Sequence, residues 1–262
     1  MIETSPLDTA RPSAILTLRL LAVMYGGVCY LVFLATFLYA IGFVGNLVVP
    51  KSIDTGPQAS LIEAITIDLL LLSLFAIPHS VMARPRFKRW WTRFVPPPVE
   101  RSTYVLVSSL LLALLFWQWR PMQETVWHVE QPGAVTAVWI LFVVGWLIAL
   151  ISTFLIDHFD LFGLRQVYLY AAGRRYAPPP FRTWALYRYV RHPIMLGFVI
   201  AFWATPVMTW GHLIFAAMTT GYIVIGIQLE ERDLRSAFGR VYAEYQKQVS
   251  SLVPLRRKIA KP

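Results

Sequence analysis

Charged residues are scarce in this chain of 262 residues, making up 15% of it, whereas hydrophobic residues make up 57%. Soluble domains carry about 25% charged and roughly 45–50% apolar residues, so this composition excludes an ordinary water-soluble fold. The single cysteine, Cys29, excludes a disulfide framework and a cysteine-based metal site. The five histidines show no His-x-x-x-His spacing, and no Cys-x-x-Cys occurs, so no bound metal is predicted.

Acidic residues are few as well, 14 against 24 Lys and Arg, which gives a net charge of +10. The basic residues concentrate in three segments, with six at 83–102, six at 157–192 and eight after Glu230. Lys and Arg accumulate in the cytoplasmic loops of membrane proteins. These segments and both termini are therefore predicted to be cytoplasmic, with the lipid bilayer as partner. A nucleic-acid partner is not predicted, and no obligate protein partner is evident.

Long apolar runs dominate the chain, and a run of about 20 residues is enough to span a bilayer. The runs cover residues 20–49, 61–82, 103–119, 135–156, and finally 194–208 with 213–229. Each arm of the last pair has about 15–17 residues, or about 22–26 Å at 1.5 Å per residue. That is less than the hydrocarbon core of about 30 Å. The predicted fold is therefore all-α, a polytopic integral membrane helix bundle of four full spans plus a C-terminal helical hairpin.

Two polar motifs flank the predicted hairpin, Tyr187-Arg188-Tyr189-Val190-Arg191-His192-Pro193 before it and Glu230-Glu231-Arg232-Asp233-Leu234 after it. Arg and His side chains can bind a carboxylate or phosphate, and Glu side chains accept hydrogen bonds from amino or hydroxyl groups. Each motif alone has an ordinary interpretation, the first as the basic start of a membrane helix and the second as a solvated helical turn. Their pairing across one hairpin indicates a ligand site.

The spacing Arg-His-Pro-x-x-x-Gly, then an apolar hairpin, then Glu-Glu-x-x-Leu resembles the signature of the isoprenylcysteine carboxyl methyltransferase-like membrane proteins. Residues 78–84 and 157–167 are similar to the methanethiol S-methyltransferase branch, which is related to the NnrU-type proteins. The resemblance covers most of residues 61–254. It implies an integral membrane methyltransferase that uses S-adenosylmethionine and converts methanethiol to dimethyl sulfide.

The same resemblance implies roles for individual residues. Those expected to help hold S-adenosylmethionine are Arg191, His192, Gly197, Glu230 and Glu231, with Tyr187, Tyr189 and Gln166 as second-tier candidates. The whole of 1–262 is expected to be one membrane methyltransferase domain. Its parts are an N-terminal span and outer loop (1–60), core spans (61–156), and a loop, hairpin and tail that form the cofactor site (157–262).

A thiol acceptor needs a base, because the thiolate is the nucleophile and an ordinary thiol with a pKa near 8.5 is mostly protonated at neutral pH. His79 and Asp157 are the catalytic candidates, since both fall at predicted cytoplasmic span ends and an Asp–His pair raises imidazole basicity. His158 and Asp160 are in reserve. The ordinary alternative is that His79 ends a helix and Asp157 begins a polar loop.

Other functions stay open at this point. A methyltransferase of this kind could act on another small thiol or on a prenylcysteine-like carboxyl acceptor, and a non-catalytic NnrU-like membrane protein or a small-molecule transporter is a different class of explanation. The expected location is a bacterial inner membrane, with the active site facing the cytoplasm.

Overall fold

A computed structural model describes residues 12–254, so the basic tail residues beyond 254 lie outside the described part. In chain order the helices are α1 (Pro12–Gly45), α2 (Leu61–Ala83), α3 (Pro85–Trp91), α4 (Pro97–Gln118), α5 (Pro132–Ile156), α6 (His158–Leu161), α7 (Leu164–Ala171), α8 (Pro193–Trp203), α9 (Trp210–Phe238) and α10 (Arg240–Gln248). A 3-10 turn, Ala185–Arg188, precedes α8, and the strands are β1 (Thr125–His128) and β2 (Val207–Thr209).

Within residues 12–254, five helices are long and apolar enough to cross a membrane, namely α1, α2, α4, α5 and α9. The predicted all-α membrane bundle is therefore confirmed. The expectation of about 15–17 residues in each arm of the C-terminal hairpin, however, was wrong for both arms. Helix α8 has 11 residues and α9 has 29, because α9 continues through the polar motif beyond Leu229. Helix α9 is thus long enough to be a fifth membrane span.

The short helix α8 is extended by a strand. At 1.5 Å per residue its 11 residues cover only about 16 Å. The chain then runs through β2, and a strand covers about 3.3 Å per residue. Strand β2 pairs antiparallel with β1, with Thr125 opposite Thr209 and His128 opposite Val207. This pairing provides hydrogen-bond partners for backbone N–H and C=O groups of β2, which is not part of a helix.

The bundle has two chemically distinct ends. At the basic end, defined by the loops 84–102 and 157–192, Arg84 forms an ion pair of 2.7 Å with Asp233 of α9, and Arg101 Nε donates to the Leu161 carbonyl. At the sheet end, which carries β1 and β2, Thr209 donates to Asp54 at 2.6 Å. The chain therefore enters α8 at the basic end and returns through α9 to the same end.

Two of the helices pack unusually closely. Helix α5 carries Gly145-x-x-x-Ala149 and α8 carries Gly197-x-x-x-Ala201, a small-residue spacing that lets membrane helices approach each other. A Cβ atom built on Gly145 would lie 2.6 Å from the Ala201 nitrogen, and one on Gly197 would lie 2.5 Å from the Ala149 nitrogen. Backbone contacts the backbone here, so this contact fixes the position of α8 and of the motif before it.

We expect Gly145→Ala to lower the free energy of unfolding by about 1–3 kcal/mol, because an added methyl group has no space to enter and the helices must separate. The measurement is thermal unfolding of the detergent-solubilised protein. Gly221→Ala in α9 is the matched control, since a Cβ there meets nothing within 4 Å. Equal stability of the two variants would contradict the close packing of α5 and α8.

Candidate functional site

The sequence brings the two polar motifs together by turning the chain back after α9. Gly239, with φ of 53°, ends α9 in the left-handed region that glycine adopts readily. Helix α10 then returns beside the motif that precedes α8. Residues 249–251 continue in extended form, so that the Arg191 and His192 amides donate to the carbonyls of Ser250 and Ser251 at 2.9 and 3.2 Å.

An ion cluster forms where these segments meet, consisting of Arg191, His192, Glu230, Glu231 and Gln246. The Arg191 Nε and Nη2 atoms lie 2.8 and 2.6 Å from Glu231 Oε1, and His192 Nε2 lies 3.1 Å from the same oxygen. Gln246 Nε2 donates to Glu231 Oε2 at 2.7 Å. Glu231 is therefore the carboxylate around which the cluster is built, and it is buried.

One carboxylate of the ion cluster, that of Glu230, is accessible to solvent. Glu230 lies 3.5 Å from His192 Nδ1, and its side chain is 44% exposed. The Arg191 guanidinium, in contrast, is taken up by protein acceptors, because its Nη1 donates to the carbonyls of Gln246 and Val249. Glu230 is thus the cluster member that can most easily accept hydrogen bonds from a ligand.

The two carboxylates also set the charge of His192. Burial alone lowers the pKa of this imidazole, but the hydrogen bonds and negative charges of Glu230 and Glu231 outweigh burial, and the pKa lies above its ordinary value. The protonated form of His192 is therefore favoured in the folded state, even though Glu231 also pairs with Arg191.

The raised pKa predicts a pH-dependent contribution to stability. Because the folded-state pKa exceeds the ordinary value of about 6.5, the contribution is complete below that pH and is lost as the pH rises through the folded-state pKa. We expect the difference in melting temperature between wild type and His192→Gln to be larger at about pH 6 than at about pH 8.5. A difference that stays constant across this range would contradict the prediction.

The other residues expected at the cofactor are distributed more widely. Gly197 lies in the α5–α8 contact, whereas Tyr189 is exposed and close in sequence to the ion cluster. The Tyr187 hydroxyl donates to the Ser152 carbonyl, and the Tyr187 carbonyl accepts from Tyr245 at 2.5 Å. Gln166 lies on α7 and donates to the Asp160 carbonyl. Their roles toward a cofactor stay predictions.

His79 belongs to a second group of polar side chains, the hydroxyl cluster, formed by His79, Ser80, Tyr104, Ser108 and Tyr222. The Ser108 hydroxyl lies 3.1 Å from His79 Nδ1, and the Tyr104 hydroxyl lies 3.1 Å from Nε2. The Ser80 and Tyr222 hydroxyls are 3.2 Å apart. The cluster joins α2, α4 and α9 inside the bundle, so His79 has polar partners that can orient its ring.

The expected partner of His79 is elsewhere. Asp157 accepts from the Asp160 amide and lies 3.8 Å from Arg165 Nη1, while Asp160 pairs with the same guanidinium at 3.0 Å. His158 is buried between Tyr30 and Thr153, and burial lowers its pKa. Between residues 12 and 254, no hydrogen bond or ion pair joins His79 to any of these three.

Comparison with known proteins identifies the family. The family described as "NnrU protein" matches residues 69–245, which is well over half of the chain and includes the hydroxyl cluster and every member of the ion cluster except Gln246. The chain belongs to the NnrU family. The resemblance to methyltransferases that was inferred from the motifs is confirmed, since curated relatives that are named as methyltransferases match the chain closely.

Two of these relatives cover nearly the whole of this NnrU-family chain. "Methanethiol S-methyltransferase 1" of Bradyrhizobium diazoefficiens is 58% identical over 92% of this chain and 85% of its own length. "Methanethiol S-methyltransferase" of Mycobacterium tuberculosis is 57% identical over 90% of this chain and 97% of its own length. A more distant relative, "Nurim" of Mus musculus, is 29% identical over 67% and 70% of the two chains. No solved structure matches the chain.

Sequence reasoning missed several members of the two clusters. Tyr104 and Ser108 are four residues apart on one face of α4, and polar residues inside an apolar span are a usable signal of function. Tyr222 has the same character on α9. Gln246 offered no signal, because its place depends on the turn at Gly239 that brings α10 back to the motif before α8.

Proposed function

We propose that this NnrU-family protein is a membrane methyltransferase that uses S-adenosylmethionine to convert methanethiol to dimethyl sulfide. The observation that carries the proposal is the 57% identity to the Mycobacterium tuberculosis methanethiol S-methyltransferase along at least nine-tenths of both chains. We further propose that the protein resides in a bacterial inner membrane and that its basic end faces the cytoplasm, where the cofactor is made.

The ion cluster has the chemistry to hold this cofactor. S-adenosylmethionine carries an amino group, a ribose diol, a carboxylate and a sulfonium, and when bound it supplies an electrophilic methyl group. The half-exposed Glu230 can accept hydrogen bonds from the amino group or the diol, and the positive charge of His192 favours the carboxylate. Glu231, which is held by Arg191, positions His192. The exposed ring of Tyr189 can approach the sulfonium.

The hydroxyl cluster has the chemistry to activate the acceptor. His79 accepts the proton of the thiol, while Tyr104 and Ser108 hold its imidazole in place. The resulting thiolate would be the nucleophile toward the methyl group that a bound S-adenosylmethionine would supply. The proton passes from His79 to solvent, so that one thiol yields one thioether and one proton.

The spacing of the clusters suits this division of roles. Tyr222 and Glu230 lie eight residues apart on α9, or about 12 Å at 1.5 Å per residue. A cofactor held at Glu230 by its amino-acid or ribose part can therefore extend toward Tyr222 and His79. The donor and acceptor sites are thus proposed to lie about two helical turns apart along α9.

The test is a headspace assay on purified protein in detergent, given S-adenosylmethionine and methanethiol, with cofactor binding measured separately by calorimetry. We expect dimethyl sulfide to form in amounts stoichiometric with the S-adenosylhomocysteine released. Cofactor binding without dimethyl sulfide would overturn the methanethiol assignment and favour a larger thiol or a carboxyl acceptor. Absence of cofactor binding would overturn the methyltransferase proposal as a whole.

A further inference from the structure

A small apolar cavity opens between α2 and α9, next to the hydroxyl cluster. This lateral slot has a volume of about 80 Å³ and is lined by Leu72, Ser73, Phe75, Ala76, Met218, Thr219 and Tyr222. Met218 is 47% exposed on the lipid-facing surface of the bundle. The slot therefore faces the hydrocarbon region of the membrane.

Two residues of the lateral slot contact His79. The Phe75 ring is stacked on the imidazole, with ring centroids 5.1 Å apart, and the Tyr222 ring stands edge-on to it at 6.4 Å. Phe75 and Tyr222 also contact each other at 6.3 Å. Phe75 therefore separates the slot from the proposed base, and a movement of its ring would open the slot to His79.

Pro78 adds local freedom at this point of α2. Proline has no N–H to donate to the carbonyl of residue 74, and its ring disturbs the preceding turn. The turn that carries Phe75 is therefore held by fewer backbone hydrogen bonds than the rest of α2.

The volume and lining of the slot restrict what it can hold. Pockets for drug-sized ligands have about 300–1,000 Å³, and one water occupies about 30 Å³ in the liquid. A space of about 80 Å³ therefore suits a molecule of a few heavy atoms and is too small to enclose a prenyl chain. Its apolar lining also favours a neutral thiol over a thiolate, because an unpaired anion is costly to bury.

We infer that the lateral slot is the route by which a small neutral thiol reaches His79 from the bilayer, with Met218 and Phe75 setting the size of acceptor admitted. The inference rests on the proposed function, since it assigns an acceptor path to that reaction. The thiol enters protonated and meets a base only at the inner end of the slot.

The structure provides a second lipid-facing cavity as a control. It has a volume of about 280 Å³, lies at the sheet end between α5, α8 and β1, and is lined by residues that include Leu141, Trp203 and Ala204. None of its lining residues belongs to α2 or to the hydroxyl cluster. Filling this cavity should therefore leave the acceptor path unchanged.

The first experiment fills each cavity from its lipid-facing rim. Met218 and Leu141 are 47% and 51% exposed, so Met218→Trp and Leu141→Trp make similar changes at similar sites. We expect Met218→Trp to lower kcat/KM for methanethiol at least tenfold, mainly through KM, with unchanged S-adenosylmethionine binding. Leu141→Trp should match wild type.

The second experiment enlarges the slot. Phe75→Leu should raise kcat/KM for ethanethiol relative to methanethiol by about tenfold or more, since one methylene in a shaped pocket changes discrimination by about 10–200-fold. Phe198→Leu, which changes an aromatic residue that packs on Trp146 instead, should leave the ratio unchanged.

The outcomes separate the inference from the proposed function. Wild-type protein that forms no dimethyl sulfide sinks the proposed function and removes the basis of the inference with it. If wild type is active and Met218→Trp and Phe75→Leu bind the cofactor but keep wild-type KM and selectivity, the slot is not the acceptor path. An effect of Leu141→Trp equal to that of Met218→Trp would show that the loss is not specific to the slot and would overturn the inference.

Discussion

Glu231→Ala is expected to lower the free energy of unfolding by about 3–5 kcal/mol and to abolish methyl transfer, because it removes the buried carboxylate that Arg191 and His192 share. The side chains of Arg191 and Glu231 are only 9% and 11% exposed, and that of His192 is 4% exposed. Water therefore has little access to these side chains and cannot solvate the cations in place of the carboxylate. The same change removes the hydrogen bond that Gln246 of α10 donates to Glu231. Thermal unfolding and the headspace assay measure the two effects.

Two neighbouring glutamates are controls for this prediction. Glu244 forms an exposed ion pair with Lys247, and Glu244→Ala should change stability by less than about 1 kcal/mol. Glu230→Gln should fold as wild type does, because Glu230 is half exposed, but should bind S-adenosylmethionine more weakly. If Glu231→Ala were as stable as Glu244→Ala, Glu231 would not be the centre of the ion cluster.

The pairing of Arg191 and His192 with the glutamates of α9 could be anticipated from sequence, because both motifs lie at the same predicted end of one apolar hairpin. The unequal arms could not. Hydropathy marks where apolar residues end, but α9 continues as a helix through Glu230 and Glu231, where backbone hydrogen bonds persist without an apolar face. The extension of α8 by β2 depends on pairing with β1, some 80 residues away in sequence.

The Asp–His pair shows a different limit of sequence reasoning. His79 and Asp157 are both at helix ends that carry basic loops, and depth alone made them plausible neighbours. Depth does not say which helices adjoin, however. Helix α5 packs against α8 through Gly145 and Gly197, whereas α2 packs against α4 and α9, so His79 meets Tyr104 and Ser108 instead.

His79→Gln is expected to lower kcat/KM for methanethiol by about 10²–10⁴-fold, the usual contribution of a positioned general base. Glutamine keeps a polar side chain near Tyr104 and Ser108 but cannot take up a proton. Cofactor binding should be unchanged, since His79 lies apart from the ion cluster. The deficit should also shrink as the pH rises, because more of the thiol then ionises without help from the protein.

The choice of partner variants decides between the sequence-based pair and the hydroxyl cluster. Tyr104→Phe should reduce the rate in the same pH-dependent way as His79→Gln, though less, because it removes a hydroxyl that lies 3.1 Å from the imidazole. Asp157→Asn should keep a rate close to wild type, since Asp157 bonds within its own loop. His158→Gln should alter stability only. The opposite result would be a loss of activity in Asp157→Asn with the pH signature of His79→Gln, and no such loss in Tyr104→Phe. In that case α2 and α5 must rearrange during turnover to form the Asp–His pair, and the base then depends on Asp157.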